Sequence, residues 1–193
     1  MGHTIRSGLT ALAIAVGLAG ALFVGTANAA LVDCPASFTT DPTAKVTSGG
    51  TTAVSACQYI SPADSSNVAS EDNVNAAGFF GITTWEATSV LQTNQNALSG
   101  TWSIPDVDFS AFDYIIVFKD GADTNLVAFL FDGSASSGDW TTPFTDPPFS
   151  LTGGPHAVSH LSIFRTVPEP GTLALLGTAL IGLAMLQRRR RVV

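Results

Sequence analysis

Basic residues are scarce between the two ends of the chain. Of the eight Lys and Arg residues, only Lys45, Lys119 and Arg165 lie within residues 30–166, against 14 of the 15 acidic residues. The formal charge of this stretch is therefore −11. A surface this acidic repels nucleic acid and anionic lipid, so the composition excludes nucleic-acid binding and suits a protein that is soluble outside the cell.

Sequence motifs of catalysis are also missing. The serine-rich loop Gly133–Gly138 lacks the G-x-S-x-G spacing of a hydrolase. His156 and His160 lie in a strand pattern, where a separation of four residues spans about 13 Å, too far for one metal ion to reach both. We expect no enzyme activity and no cofactor, and a buried or edge position for each histidine. A secreted hydrolase that uses one of these histidines is the less favoured alternative.

Cysteine is limited to Cys34 and Cys57. In an oxidising compartment, two cysteines predict one disulfide, which would stabilise the fold by about 3 kcal/mol in the chain-entropy model.

Helical signals are rare, and strand signals are frequent. The clearest hairpin consists of Phe112–Gly121 and Asn125–Gly133, with Tyr114, Ile116 and Phe118 on one face of the first strand and Ile115 and Val117 on the other. Only Ala87–Leu98 is compatible with a helical turn. The pattern predicts an all-β fold, a single antiparallel β-sandwich-like domain over residues 30–166. The other predicted strands are Cys57–Ile60, Gly78–Ala87, Gly100–Ile104, Gly138–Thr142 and Ala157–Thr166.

Two groups of residues in this domain are candidate ligand sites. Asp120, Asp123 and Asn125 could offer oxygen ligands to calcium, although such residues are also common in plain turns. The tryptophans could form a flat platform for sugar rings, although a sandwich usually buries tryptophan in its core. They are Trp85, Trp102 and Trp140.

The N-terminal residues 1–29 have the pattern of a signal peptide. Arg6 gives a basic start, an apolar run follows over Leu9–Val24, and Ala27 and Ala29 provide the small residues of a signal peptidase site before Ala30. We therefore expect cleavage by signal peptidase and export of the domain.

The C-terminal residues 167–193 form three successive pieces. Val167, Pro168, Glu169 and Pro170 precede the uncharged segment 171–186, which as a helix would be roughly 24 Å long, slightly short of the hydrocarbon core. This segment predicts a transmembrane helix in the inner membrane. The basic residues that follow predict a cytoplasmic stop. They are Arg188, Arg189, Arg190 and Arg191.

The order of these three pieces closely resembles the PEP-CTERM sorting domain of proteins exported by Gram-negative bacteria. The resemblance implies processing by an exosortase, a membrane transpeptidase-like enzyme, with the Pro-Glu-Pro region as its recognition element. The family is associated with exopolysaccharide and with biofilm or floc formation. The domain before the tail is similar to the variable exported domains of such proteins, which implies a β-rich extracellular module and names no ligand.

These observations predict a non-enzymatic protein of the cell surface or extracellular matrix, structural or adhesive in an exopolysaccharide or biofilm setting. Its expected partners are exosortase, signal peptidase and exopolysaccharide. It would be anchored transiently in the inner membrane and then move to the periplasm, cell surface or matrix. A carbohydrate-binding module is the alternative.

Overall fold

The structure is a computed structural model and describes residues 31–61, 69–121 and 125–167, together with Thr178. Among the described residues up to Val167, the elements are eleven strands, one α-helix, and 3-10 turns at Ala36–Phe38 and Phe79–Gly81. The strands are β1 (Val32–Asp33), β2 (Val46–Ser48), β3 (Thr51–Thr52), β4 (Val54–Ile60), β5 (Trp85–Ala87), β6 (Thr93–Ala97), β7 (Ser99–Ser103), β8 (Tyr114–Asp120), β9 (Leu126–Phe131), β10 (Ser137–Thr141) and β11 (Val158–Thr166). The helix α1 spans Glu71–Ala77.

The strands form two antiparallel sheets. The larger sheet has the order β1-β4-β9-β8-β11-β5, and β6 also pairs with β11. The smaller sheet has the order β3-β2-β10-β7. The predicted all-β, antiparallel architecture is confirmed for the part of the chain that the structure describes, as are the strands predicted around Cys57–Ile60, Gly100–Ile104, Gly138–Thr142 and Ala157–Thr166.

The hairpin of β8 and β9 lies inside the larger sheet, in the register Ile116↔Phe129 and Lys119↔Leu126. Its side chains alternate as predicted. One set belongs to the core that the smaller sheet covers, and the other set belongs to a second core on the opposite face. Both faces of these strands are buried, which explains why they read as continuous apolar runs rather than as alternating apolar and polar residues.

The core between the sheets is rich in aromatic side chains. Phe118 lies 5.8 Å from Phe129 and 5.4 Å from Trp140, measured between ring centroids. Such tilted and edge-on contacts add to the stabilisation from apolar burial. Other members of this core are Val46, Trp102, Ile116, Val127, Phe131, Phe144, Leu161 and Ile163.

The second core lies on the opposite face of the larger sheet and includes residues of the α1 region. Val74 of α1, Phe79 and Trp85 are buried there, with Ile115, Val117, Ala128 and Phe164. Ser70 caps the helix by accepting a hydrogen bond from the Asn73 N–H at 3.3 Å, and Gly78 ends it in the left-handed conformation. This helix was not predicted from the sequence.

The strand predicted over Gly78–Ala87 is mostly wrong, because only Trp85–Ala87 is extended and paired. Gly78 belongs to the helix cap, and Phe80 and Gly81 have φ values of 58° and 75°. A backbone with consecutive positive φ angles turns instead of extending.

The helical turn considered for Ala87–Leu98 is also wrong. This stretch contains β6, which pairs with β11, and Gln92 and Asn96 have positive φ angles that a right-handed helix does not allow. The backbone N–H of Gln92 instead donates to Ser162 Oγ on β11 at 2.8 Å. A long-range partner therefore determines the local conformation.

The predicted disulfide between Cys34 and Cys57 is confirmed. It joins the segment after β1 to β4, with a Cα–Cα distance of 5.3 Å, and the Cys34 N–H donates to the Cys57 carbonyl at 3.0 Å.

Two Gly-x-Trp sequences in neighbouring strands of the smaller sheet pack against each other reciprocally. They are Gly100-Thr101-Trp102 in β7 and Gly138-Asp139-Trp140 in β10, and the register places each tryptophan opposite the other strand's glycine. The Trp102 indole N–H donates to the Asp139 carbonyl, and the Trp140 indole N–H donates to the Thr101 carbonyl, both at 3.2 Å. Each indole ring thus lies against the glycine of the other strand. A side chain at that glycine would occupy the space of the ring.

A methyl group on either glycine should destabilise the fold, and more so at position 138. A Cβ on Gly138 would collide with the backbone carbonyl of Thr47, whereas a Cβ on Gly100 would lie 2.8 Å from a ring carbon of Trp140, a side chain that can shift. We expect Gly138→Ala to lower the free energy of unfolding by about 3 kcal/mol or more and Gly100→Ala by about 1–3 kcal/mol. Urea unfolding followed by tryptophan fluorescence measures both. Wild-type stability in Gly138→Ala would contradict the close approach of β2 and β10.

Candidate functional site

The last strand of the fold ends at the start of the predicted sorting tail. Strand β11 pairs with β8 on one side and with β5 and β6 on the other. It is therefore an internal strand, held by backbone pairing along both edges. The chain leaves the sheet from one of its most constrained positions.

Backbone hydrogen bonds extend to Thr166, the last residue of β11, and to Val167, which follows it. The Thr166 N–H donates to the Asp113 carbonyl at 2.9 Å, and the Asp113 N–H donates back to Thr166 Oγ1 at 3.0 Å. The Val167 N–H donates to the Thr84 carbonyl at 3.2 Å, while the residue as a whole is 43% exposed. Val167 is therefore bound to the fold through its backbone and open to solvent through its side chain.

Arg165 fixes the same end of the sheet from the side. Its Nε and Nη2 atoms donate to Glu86 Oε2 at 2.9 and 2.7 Å, and its guanidinium carbon lies 4.9 Å from the centre of the Phe112 ring. The hydrogen bond to Glu86 raises the pKa of Arg165, and the charge of Glu86 acts in the same direction. Both partners are well exposed, so the pair contributes little to stability and mainly orients the side chains across the β11–β5 register.

Side chains of α1 cover the outer edge of β5. Asn75 Nδ2 donates to the Trp85 carbonyl at 3.0 Å, and the Trp85 N–H donates to Asn75 Oδ1 at 2.6 Å. The Ala87 N–H donates to Glu71 Oε2 at 3.0 Å. These bonds replace those that a further strand would make, so the edge nearest the sorting tail is closed to strand addition.

A shallow cleft of about 230 Å³ lies beside Arg165. Asp106, which borders it, has a φ of 51°, a conformation that is uncommon for a residue other than glycine. The cleft carries groups of both charge signs together with hydroxyl groups. Its lining comprises Ala87, Thr88, Ser89, Pro105, Asp106, Tyr114 and Arg165.

The structure brings the calcium candidates Asp120 and Asn125 together with His156, and Asp123 lies outside the described residues. Asp120 is fully buried, and its Oδ2 atom accepts a hydrogen bond from Asn125 Nδ2 at 3.3 Å. The same oxygen lies 3.2 Å from His156 Nδ1. Among the described residues, no three His, Cys, Asp or Glu side chains are close enough to hold a metal ion. The plain turn, which the sequence favours, and the calcium site both remain untested predictions.

The second histidine belongs to a separate pair. His160 Nδ1 lies 3.1 Å from Ser159 Oγ, and this hydroxyl donates to the Lys119 carbonyl at 3.0 Å. A serine hydrolase requires one histidine that contacts both the serine and the carboxylate. Here the Asp120 carboxylate lies at His156, whereas the Ser159 hydroxyl lies at His160, a different histidine.

The proposed tryptophan platform is wrong. Trp85, Trp102 and Trp140 are 1%, 3% and 1% exposed, so none can present a flat face to a sugar ring. Their indole N–H groups are bonded to backbone carbonyls, which is the usual state of a buried tryptophan.

Several predicted residues lie outside the part of the chain that the structure describes. They are the signal peptide with Ala27, Ala29 and Ala30, the motif residues Pro168, Glu169 and Pro170, the predicted transmembrane helix 171–186, and Arg188–Arg191. None of the described helices is long and apolar enough to cross a membrane.

The comparison with known families identifies the tail. Residues 166–191 match the PEP-CTERM protein-sorting motif, which confirms the resemblance read from the sequence. The motif supports an exported protein that an exosortase processes, with membrane anchoring before processing. No curated protein and no solved structure matches the chain.

The closed edge of β5 gives a first prediction for this site. Asn75→Ala removes two hydrogen bonds from the Trp85 backbone and should lower the free energy of unfolding by about 2 kcal/mol. Asn94→Ala, on exposed β6, is the matched control and should cost less than about 0.5 kcal/mol. Urea unfolding of the two variants measures the difference. Equal stability would show that the amide of Asn75 does not hold the edge.

The cluster around Asp120 gives a second prediction. Because Asn125 directs its amide nitrogen at the carboxylate and His156 lies at the same oxygen, we expect calcium to leave the thermal midpoint unchanged within about 1 °C relative to EDTA. Asp120→Ala should destabilise by about 3 kcal/mol because it removes the carboxylate that partners Asn125 and His156. A calcium-dependent rise of several degrees that Asp120→Ala abolishes would instead establish the calcium site.

Proposed function

We propose that this chain is an exported structural or adhesive protein, and that residues 30–166 are the cargo its PEP-CTERM tail delivers to the cell surface or extracellular matrix. The observation that carries the proposal is the position of the matched motif. It begins at residue 166, the last residue of β11, so the address starts where the strand pairing of the fold ends.

This position separates the folded domain from the sorting tail. The described hydrogen bonds of the β11 end involve Thr166 and Val167, and the Pro-Glu-Pro sequence follows immediately. Processing at or beyond Pro168 would leave the pairing of β11 with β8 and β5 intact. A sorting enzyme could therefore release or transfer the domain in its folded state.

The proposed destination agrees with the chemistry of the domain. Its charge of −11 and its three basic residues favour solubility outside the cell, and its two cysteines form a disulfide, which persists in oxidising compartments. Signal peptidase, exosortase and, transiently, the inner membrane are the partners of the delivery route. Exopolysaccharide is the proposed partner at the destination.

A passive role for the domain is favoured over the two alternatives. Among the described residues, the Asp120 carboxylate contacts His156 and the Ser159 hydroxyl contacts His160, so these contacts do not favour a hydrolase. Burial of the tryptophans removes the feature on which a carbohydrate-binding module was based. We therefore propose that the domain acts without catalysis.

The tail can be tested in the exporting cell by the intact mass and the location of the protein. We expect the wild-type mature protein to begin at Ala30, to lack the residues beyond the Pro-Glu-Pro region, and to leave the inner membrane only when the sorting enzyme is present. Replacement of Pro168, Glu169 and Pro170 by alanine should reduce the processed fraction of the protein at least tenfold. Mass spectrometry of fractionated cells measures this fraction.

Glu86→Gln is the matched control, because it removes an acidic residue near the tail but outside the motif. It should be processed like the wild type. A full-length protein that stays in the inner membrane with or without the enzyme would overturn the proposal and indicate an ordinary membrane-anchored protein.

A further inference from the structure

The smaller sheet has an open edge at β7. Within the residues described, β7 pairs with β10 on one side and is the last strand of the sheet on the other. The side chains of Ser99, Thr101 and Ser103 are exposed along this strand. An edge strand directs the N–H and C=O groups of every second residue away from its neighbour, where they are available to another strand.

The ladder shows which residues of β7 have outward backbone groups. The Leu98 carbonyl accepts from the Thr142 N–H, and the Ile104 N–H donates to the Ser136 carbonyl, both at 2.8 Å. Because ladder bonds recur at every second residue, the even-numbered residues from 98 to 104 face β10. The backbone groups of Ser99, Thr101 and Ser103 therefore face outward.

The reciprocal Gly-x-Trp pair shows what such an edge accepts. On β10, Asp139 accepts the indole N–H of Trp102 and is also paired with Thr47 of β2. On β7, Thr101 accepts the indole N–H of Trp140 in the same way, and the sheet continues no further among the described residues. Thr101 on β7 therefore has the same indole hydrogen bond as Asp139 on β10. Because β10 still pairs with β2, an indole bond to the carbonyl is compatible with a neighbouring strand.

The edge strands β5 and β7 differ in how they are protected from strand addition. The β5 edge is covered by Asn75 and Glu71, whereas β7 has none of the usual protections of an edge strand, such as a charged residue, a proline or a bulge. The exposed side chains of β7, those of Ser99, Thr101 and Ser103, all carry hydroxyl groups. In a domain with a charge of −11, this strand offers an uncharged line of contact.

We propose that β7 of a second copy of this chain occupies the open edge, antiparallel to the first, with a two-fold axis at Thr101. This register places Thr101 opposite Thr101 of the other copy and Ser99 opposite Ser103 in both directions. On the exposed face of the sheet, each facing pair is then a pair of hydroxyl residues, which stabilise one another across antiparallel strands, and Gly100 lies opposite Trp102 on the other face. The sequence of β7 is therefore self-complementary, as a two-fold interface requires.

The contact joins two four-stranded sheets into one sheet of eight strands. Five residues per copy bury little area, so the dimer is weak in dilute solution and forms where copies are concentrated. This inference does not depend on the proposed sorting function, since it concerns only the edge of the folded domain.

A single introduced cysteine tests the interface in the full-length chain. The two natural cysteines are joined in a disulfide, so Thr101→Cys adds the one free thiol of the chain. In exporting cells treated with a short bis-maleimide, we expect a cross-linked dimer at least tenfold more abundant than for Thr51→Cys. Thr51 is the matched control because it is also an exposed threonine, on the opposite edge strand of the same sheet.

Two further variants test the register and the chemistry of the contact. Co-expressed Ser99→Cys and Ser103→Cys chains should cross-link to each other at least fivefold more than either does to itself. Thr101→Lys in this pair should reduce cross-linking at least tenfold by placing two like charges opposite each other. Retention of the Cys34–Cys57 disulfide and resistance to protease verify that each variant is folded.

Equal cross-linking of Thr101→Cys and Thr51→Cys would overturn the proposal. Preferential cross-linking between Thr101→Cys and Thr51→Cys chains would also overturn it, because that pattern indicates head-to-tail joining of β7 to β3.

Discussion

The central hairpin of this protein must be buried on both faces, and the rest of the fold follows from that requirement. Strand β8 places Ile116 and Phe118 on one face and Ile115 and Val117 on the other, and all four are fully buried. Each face of the larger sheet therefore needs its own cover, since exposure of either would leave several large apolar side chains in water. The smaller sheet covers one face, and the segment from Ala69 to Trp85 covers the other.

The sequence predicted what depends on local pattern. The β8–β9 hairpin and β11 could be predicted from runs of β-branched and aromatic residues, the disulfide from the cysteine number, and the sorting tail from its ordered pieces. The helix α1 was missed because it has only seven residues, although Ser70 and Gly78 are recognisable cap residues. The non-helical course of residues 87–98 could not be predicted, because contacts with Ser162 and β11 far along the chain determine it.

Long-range pairing also explains what the sequence could and could not tell about the site. His156 and Asp120 are 36 residues apart, and antiparallel pairing of β8 with β11 brings their ends together. Trp102 and Trp140 each follow a glycine by two residues in the sequence, yet their burial depends on which strand pairs with which. Gly100 and Gly138 make room for Trp140 and Trp102 only because the register sets each glycine opposite the other strand's ring. The strand register therefore explains why these tryptophans are buried in the core.

The end of β11 places a geometric demand on the sorting reaction. Three residues, Pro168 to Pro170, separate Val167 from the predicted membrane segment, and an extended chain of that length spans at most about 11 Å. The enzyme proposed to act there must therefore work close to the folded sheet. An open β5 edge at that place would offer backbone hydrogen bonds to the passing tail or to a neighbouring chain. The side chains of Asn75 and Glu71 make those hydrogen bonds, so the edge beside the tail is closed, whereas β7 is an edge strand with no further partner strand among the described residues.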